Sequence, residues 1–355
     1  MVDIDKSKPV LVTGATGYVA GWIVKRLLEE GATVHAAVRD PGNAEKLRYL
    51  NEIAVGLPGT IRYFKADLLD EGSYAEAMAG CEVVFHTASP FFRDVKDAQT
   101  ELVDPAVKGT RNVLETANRT ESVRRVVVTS SCAAIYGDAA DIATYPGQVM
   151  TEQCWNSSSS LDHNPYPYSK VLAEKEAWKI AEAQSRWKLV VINPGFVLGP
   201  AINPYGEGES FAVIRQMGGG PMKAGIPAIG IGVIDVRDLA EAHLRAGFLP
   251  EANGRNIIVA ENTSLLDLAA TLRPKFPRYP LPKSLLPKWL VWLVGPLADK
   301  STTRKFISRN VGHPWKADNS KSVRELGMSY RPIAQTMQDM FQQIVDTGQI
   351  PVPKG

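Results

Sequence analysis

The stretch Leu11-Val12-Thr13-Gly14-Ala15-Thr16-Gly17-Tyr18-Val19-Ala20 joins an apolar, β-branched run to an amphipathic one through two glycines. At such a strand-to-helix junction Gly14 permits a tight turn and Gly17 lets backbone lie close to a phosphate. Ala20 is small enough for the helix to pack on a sheet, and the helix N-terminus faces an anion. The same change of texture repeats through the first half of the chain. Strands are expected at 9–13, 33–38, 61–65, 82–87, 125–130 and 188–193, with helices at 19–29, 103–118 and 166–185. The strands are apolar almost throughout, as parallel strands covered on both faces must be. The expected class is α/β, a doubly wound parallel sheet.

Beyond Pro194 the texture changes, and glycines and prolines crowd 195–232. We therefore expect a dinucleotide-binding domain at 1–194 and a mainly substrate-binding lobe at 195–355. A helix at 238–248, capped by Asp238, and a strand near 256–260 returning to the main sheet complete the plan. The apolar run 289–295, between Pro287 and Pro296, is far shorter than the roughly 20 residues a membrane span needs. It is expected to be a core or pocket-covering helix with no membrane partner, shallow membrane or partner contact being the alternative.

Composition narrows the class. With 355 residues the chain can bury a large core, and 45% apolar with 22% charged residues is ordinary for a soluble globular protein. A net charge of +2 gives no electrostatic reason to expect nucleic acid. Three cysteines (Cys81, Cys132, Cys154) without CxxC spacing suit a reducing cytosol better than a disulfide scaffold or a zinc site. Cys132 is read as a packing residue. The polar start Met1-Val2-Asp3-Ile4-Asp5-Lys6 shows no signal peptide, so a cytoplasmic location is expected. The histidines show no ligand spacing, and no metal is expected; His163, close to Tyr166, is read as a loop or capping residue.

The tip of the second strand, His35-Ala36-Ala37-Val38-Arg39-Asp40, selects the cofactor. The Arg39 fork, with Lys46 further on, suits a 2′-phosphate, so NADPH/NADP+ is expected rather than NADH. Asp40, next door, is the alternative partner for a free ribose. Asp67 ends another strand and could bind the adenine amino group or cap a helix. Thr87, Ala88 and Ser89 end the fourth strand, where small residues would let the nicotinamide ribose lie close.

Tyr166 and Lys170 stand four residues apart on one helix face, downstream of Thr129-Ser130-Ser131. Tyrosine is a rigid proton donor whose ordinary pKa of about 10 is high for exchange near neutrality. A lysine cation one turn away favours the tyrosinate. Ser131 would hold a substrate oxygen beside them, with Ser130 as the alternative. Tyr168 is only two residues from Lys170 and points off that face. The expected chemistry is reversible carbonyl–alcohol redox exchange by hydride transfer.

At this point the residues match a family. The chain resembles the extended short-chain dehydrogenase/reductases, and within them the dihydroflavonol reductase and cinnamoyl-CoA reductase branch. The matching segments are Val12 to Tyr18, Val38-Arg39-Asp40-Pro41, Lys65-Ala66-Asp67-Leu68 and Phe85-His86-Thr87-Ala88-Ser89-Pro90. Val128-Thr129-Ser130-Ser131, Glu152-Gln153-Cys154-Trp155 and Tyr166-Pro167-Tyr168-Ser169-Lys170 follow. The resemblance runs from about 9 to 270 and returns weakly at 318–341. It implies a Rossmann domain, NADPH, and Ser131, Tyr166 and Lys170 as catalytic residues. It places Gly14, Thr16, Gly17, Tyr18, Arg39, Lys46, Asp67, Leu68, Thr87, Ala88, Ser89 and Pro194 around the cofactor.

Two departures bear on the substrate. Cinnamoyl-CoA reductases carry Asn-Trp-Tyr-Cys-Tyr where this chain has Asn164-Pro165-Tyr166-Pro167-Tyr168, and Tyr136 stands where dihydroflavonol reductases place an asparagine. The chemistry and cofactor carry over, but a named plant substrate does not. Phe91, Phe92, Tyr136, Ser210, the 194–209 loop and the aromatic 279–313 segment are expected to line a pocket for a medium-sized apolar aldehyde or ketone. The alternatives are a nucleotide-sugar epimerase or dehydratase, a hydroxysteroid dehydrogenase-like enzyme, and a catalytically silent NADP sensor. A monomer or homodimer is expected.

Overall fold

A computed structural model describes residues 4–89, 96–298 and 302–353; Phe91 and Phe92 lie outside the described residues. The first half alternates strands β1 (Val10–Thr13), β2 (Thr33–Val38), β3 (Thr60–Lys65), β4 (Val83–His86), β5 (Arg125–Thr129) and β6 (Lys188–Pro194) with helices α1 (Tyr18–Glu29), α2 (Ala44–Ala54), α3 (Ala75–Met78), α4 (Asp104–Arg119) and α5 (Pro165–Glu182). There follow β7 (Phe196–Leu198), α6 (Glu209–Gly219), β8 (Gly230–Asp235), α7 (Val236–Phe248), β9 (Gly254–Ile258), β10 (Glu261–Ser264) and α8 (Leu265–Leu272). Helices α9 (Lys288–Ala298), α10 (Arg304–Asn310), α11 (Ser320–Glu325) and α12 (Ile333–Asp346) end the chain.

Seven strands form one parallel sheet in the order β3-β2-β1-β4-β5-β6-β9. Alternate residues of each strand feed two cores. Val10, Val12, Val34, Phe85, Val127 and Val190 pack under α1 and α7, while Leu11, Val84, Val126, Val128, Leu189 and Val191 pack under α3, α4 and α5. The chain runs from β1 to β3 on one side and resumes with β4 on the other, so the connections diverge between β1 and β4. A crevice opens there at the carboxyl ends of the strands, the place where such sheets bind ligands.

The strand near 256–260 does return to the sheet, as β9 beside β6. Helix α7 also packs on this sheet, beside α1. The lobe is a three-stranded sheet, β10-β8-β7, over its own core of Phe211, Val233, Leu268, Met337 and Phe341. Asp238 does not cap α7. Asp235 does, accepting from the Arg237 amide at 2.7 Å. Asp238 lies in the first turn and binds the backbone and guanidinium of Arg331, latching the C-terminal segment to the sheet. The carboxylate one turn start earlier won because its side chain reaches the free amide.

Two buried histidines brace the strand ends in neutral form. The Thr129 hydroxyl meets His243 Nε2 at 2.7 Å, and His243 Nδ1–H donates to the Leu239 carbonyl at 2.8 Å. His86 Nδ1 faces the Thr13 hydroxyl at 3.0 Å. Burial pushes His243 down to about 4, and burial with the nearby Lys170 cation pushes His86 down to about 3. The unfolded chain takes up both protons near pH 6.5 while the folded chain does not. Their stability is therefore present above pH 6.5 and lost as pH falls toward 4 and then 3. We expect the unfolding free energy to drop by on the order of 2 kcal/mol per histidine between pH 7 and 5. Urea titrations of the parent and His243→Gln check this; identical pH slopes would refute it.

Candidate active site

Thr13 organises the crevice. Its hydroxyl oxygen accepts from the Thr87 and Ala88 amides, both at 3.1 Å, and so gives its own proton to His86 Nδ1. The Thr87 hydroxyl returns a bond to the Thr13 carbonyl at 2.5 Å. The end of β4 is thereby clamped to the end of β1. Gly14 has φ +63°, and a Cβ on it would sit 3.1 Å from the Ala88 Cα. Only glycine fits that approach without strain. Gly17 is the N-cap of α1 and supplies no side-chain cap, and exposed Thr16 precedes it. The first turn of α1 thus opens on the crevice with its amides turned toward a ligand.

The remaining residues expected at the cofactor sort by geometry. Arg39 is exposed at the tip of β2, and Lys46 is exposed in the first turn of α2. The Asp40 carboxylate accepts the Gly42 amide at 2.9 Å, which commits it to a turn. Asp67 likewise accepts the Leu69 amide at 2.9 Å, so it caps a turn rather than a helix. Leu68 packs closely over Gly109, where a Cβ would sit 3.0 Å from the Leu68 side chain. Pro194 is buried at the end of β6. The Tyr18 hydroxyl donates to the Gly199 carbonyl at 2.6 Å and its ring meets Phe211 edge-on. Its side chain thus ties α1 to Gly199 and to α6.

Lys170, one turn into α5, donates to the Ser89 hydroxyl at 3.0 Å, and its ammonium lies 5.7 Å from the Tyr166 ring centre. One cation therefore links the end of β4 to the tyrosine. Helix α5 packs against the short 3-10 turn Cys132–Ala134 that Ser131 caps. Ser131 Oγ accepts the Ala133 amide at 3.1 Å, so its proton is free to point elsewhere. Ser130 is committed: its hydroxyl donates to Glu174 at 2.5 Å. A recess of about 20 Å³, room for about one water, is lined by His86, Ser89, Ser130, Lys170 and Glu174.

The substrate-pocket residues divide. Tyr136 stands just past the Ser131 turn, edge-on to Trp315 at 5.7 Å, and burial pushes its hydroxyl up to about 12. Ser210 is buried at the head of α6. Trp289 and Trp292 are exposed on α9. Cys132 is a buried thiol donating to the Asn193 carbonyl at 3.3 Å, and burial holds it well above the ordinary thiol range, as suits a packing residue.

Sequence reasoning passed over two supports. Glu174, buried one turn after Lys170, binds Ser130, Asn193 (2.9 Å) and the Arg255 guanidinium (2.6 Å). Asn193 in turn donates to the Ser131 carbonyl at 3.1 Å. Arg255 arrives from β9, lies 3.9 Å over the Trp155 ring and also binds the Cys154 carbonyl. The second support is Asp138. It accepts from His163 (2.8 Å), Asn164 (3.0 Å), Arg309 (2.6 Å) and Asn310 (2.7 Å). Burial alone would raise its carboxyl, but these donors hold it below the usual carboxylate range. Asn164 precedes α5 with φ +57°, an uncommon left-handed position that this anchor sustains. The four-residue spacing from Lys170 to Glu174 was the one available signal; nothing in the sequence pairs Glu174 with Arg255 or Asp138 with Arg309.

A crevice at the switch point, an open helix end and a tyrosine–lysine pair describe a dinucleotide-dependent oxidoreductase. Known proteins agree: the chain belongs to the NAD dependent epimerase/dehydratase family, whose model matches residues 10–260. It is 38% identical over 282 residues, 77% of this chain and 82% of the relative, to cinnamoyl-CoA reductase CAD2 of Medicago truncatula. It is 34% identical over 347 residues, 97% of this chain and 94% of the relative, to cinnamoyl-CoA reductase 1 of Petunia hybrida. Among solved structures, yeast methylglyoxal/isovaleraldehyde reductase Gre2 complexed with NADPH superposes with a TM-score of 0.79 at 26% identity, covering 96% of this chain and 99% of that one.

The buried Glu174–Arg255 pair should show itself in stability. Arg255→Met strands a buried carboxylate and is expected to lower the unfolding free energy by about 3–5 kcal/mol. Adding Glu174→Gln should restore part of that loss. A urea-denaturation cycle measures both, and a double variant losing the full sum of the two singles would show that the pair is not coupled.

Proposed function

We propose that this chain reduces a medium-sized apolar aldehyde or ketone to the alcohol with NADPH, Tyr166 delivering the proton. It is an oxidoreductase acting on carbonyl groups. The observation that carries the reading is the placement of Lys170 between Ser89 and the Tyr166 ring, at the mouth of the crevice that Gly14 and the open end of α1 shape.

The residues present fit NADPH. The α1 amides would hold the pyrophosphate, and exposed Arg39 and Lys46 the 2′-phosphate. Asp67 and Leu68 would border the adenine, Thr87, Ala88 and Ser89 the nicotinamide ribose, and Pro194 the nicotinamide. Asp40 Oδ1 is occupied by the Gly42 amide, which leaves Oδ2 alone for a ribose hydroxyl. When bound, NADPH supplies a hydride to the carbonyl carbon.

The rest is the work of side chains. The Ser131 hydroxyl, its oxygen already engaged by the Ala133 amide, donates to the carbonyl oxygen and fixes it beside Tyr166. As negative charge grows on that oxygen, the Tyr166 hydroxyl passes it a proton. The Lys170 ammonium stabilises the tyrosinate left behind, which solvent reprotonates. Carbonyl, NADPH and one proton give alcohol and NADP+, and the reverse reaction retraces the steps. The relatives named above are reductases of cinnamoyl-CoA and of methylglyoxal and isovaleraldehyde, and a carbonyl with an aryl or alkyl body is the substrate class they suggest. We place the enzyme in the cytoplasm, as a monomer or homodimer. No described helix is long and apolar enough to cross a membrane.

Loss of NADPH absorbance with a panel of aryl and aliphatic aldehydes, ketones and CoA thioesters tests the reading. Tyr166→Phe should lower kcat by roughly 10²–10⁴-fold while cofactor binding persists. Arg39→Ala should raise the KM for NADPH by roughly 10–100-fold, the worth of a charge-assisted bond, and leave NADH use little changed. A fully active Tyr166→Phe would remove the proposed proton donor. Cofactor binding without turnover on any carbonyl would instead favour the sugar-nucleotide or sensing alternatives.

A further inference from the structure

Helix α9, expected in the core or over a pocket, leaves one apolar side exposed. Trp289 is 68% exposed, Leu293 53% and Leu297 88%, with Trp292 at 41% and Leu285, just before the helix, at 49%. Within the helix Trp289, Leu293 and Leu297 are spaced by four and Trp292 follows Trp289 by three, so these four share one side. The opposite side makes a thin contact. Val291 packs with Ile307 and Val311, and Gly295 lets α10 close in, since a Cβ there would lie 3.1 Å from Ile307. A contiguous apolar stripe left in water marks an interaction surface.

What surrounds the stripe is cationic. Lys283, Lys288, Arg304 and Lys305 are all exposed, and the segment 283–310 carries six lysines and arginines against one carboxylate, Asp299. The Arg304 guanidinium lies 4.5 Å over the Trp292 ring, which sets a positive charge directly beside the apolar stripe. Arg309 is already neutralised by Asp138 and Asp141. With a net charge of only +2 on the whole chain, this is a local concentration of charge. A second copy seated on the stripe by a two-fold axis would bring both sets of cations together, which opposes pairing.

We propose that α9 docks on an anionic phospholipid surface. The tryptophans, leucines and Val294 enter the headgroup–acyl boundary, and the lysines and Arg304 reach lipid phosphates and carboxylates. Eleven helical residues, about 16 Å long, rest in the interface rather than cross it. The surface is rigidly joined to the active-site end: α10 carries Arg309, which binds Asp138, which anchors Asn164 at the start of α5. The inference does not depend on the proposed reaction.

Sedimentation of the full chain with phosphatidylcholine vesicles, and with phosphatidylcholine–phosphatidylserine vesicles, tests it. The parent should bind the phosphatidylserine vesicles at least tenfold better, with a blue shift in tryptophan fluorescence, and lose binding as salt rises. L293E/L297E should lower that binding at least tenfold, and K283E/K305E should abolish the preference for phosphatidylserine. Both variants change exposed side chains, so their melting temperatures should match the parent's. Binding to neither vesicle, or binding that the variants leave unchanged, overturns the proposal. So does a parent that sediments as a dimer while L293E/L297E is monomeric, since the stripe would then be covered by a second copy.

Discussion

The Thr13 hydroxyl holds the two strand ends on which the crevice depends. By accepting two backbone amides it closes the gap between β1 and β4 at the level of the strand tips, and its proton fixes His86 as a neutral acceptor. Gly14 can then pass within van der Waals contact of Ala88. Without that closure the α1 amides would have no fixed position relative to Ser89 and Lys170. One buried hydroxyl, fully used as donor and acceptor, therefore sets the distance between where a phosphate and where a nicotinamide would lie.

The catalytic side of the crevice is held from behind by charges. Glu174 and Arg255 are both removed from water, which is costly unless each has several partners. Each does: the carboxylate binds Ser130 and Asn193, and the guanidinium binds loop carbonyls and stacks on Trp155. The result is that β9, the 150s loop, α5 and the Ser131 turn form one unit. Asp138 does the same at the other end of α5, where four donors on one carboxylate sustain the left-handed Asn164.

Much of this was legible in the sequence where the signal is local. The parallel strands announced themselves as apolar runs, and β2 fell at the expected residues. Gly14 and Gly17 sat at a strand-to-helix turn, and Tyr166 and Lys170 shared a helix face because 3.6 residues make a turn. The local signal ran out where neighbours decided. Asp235 and Asp238 are equally good caps on paper, and only the start of α7 at Val236 chooses between them. Nothing local pairs the Tyr18 hydroxyl with Gly199, far along the chain. The α9 run has the composition of a core helix, but composition does not say whether another element arrives to cover it.

The sequence by itself determined the fold class, the cofactor turn and the tyrosine–lysine pair, since each rests on backbone preferences or on contacts within a few residues. Tertiary structure alone decided which serine of the Ser130-Ser131 pair is free, because Glu174 must be folded against it to claim the first. It decided that Asp40 is tied to a turn while Arg39 is exposed, and that the tryptophans of α9 face water. Those outcomes depend on which distant groups compete for the same hydrogen bond or the same apolar surface, and that competition exists only once the chain has closed on itself.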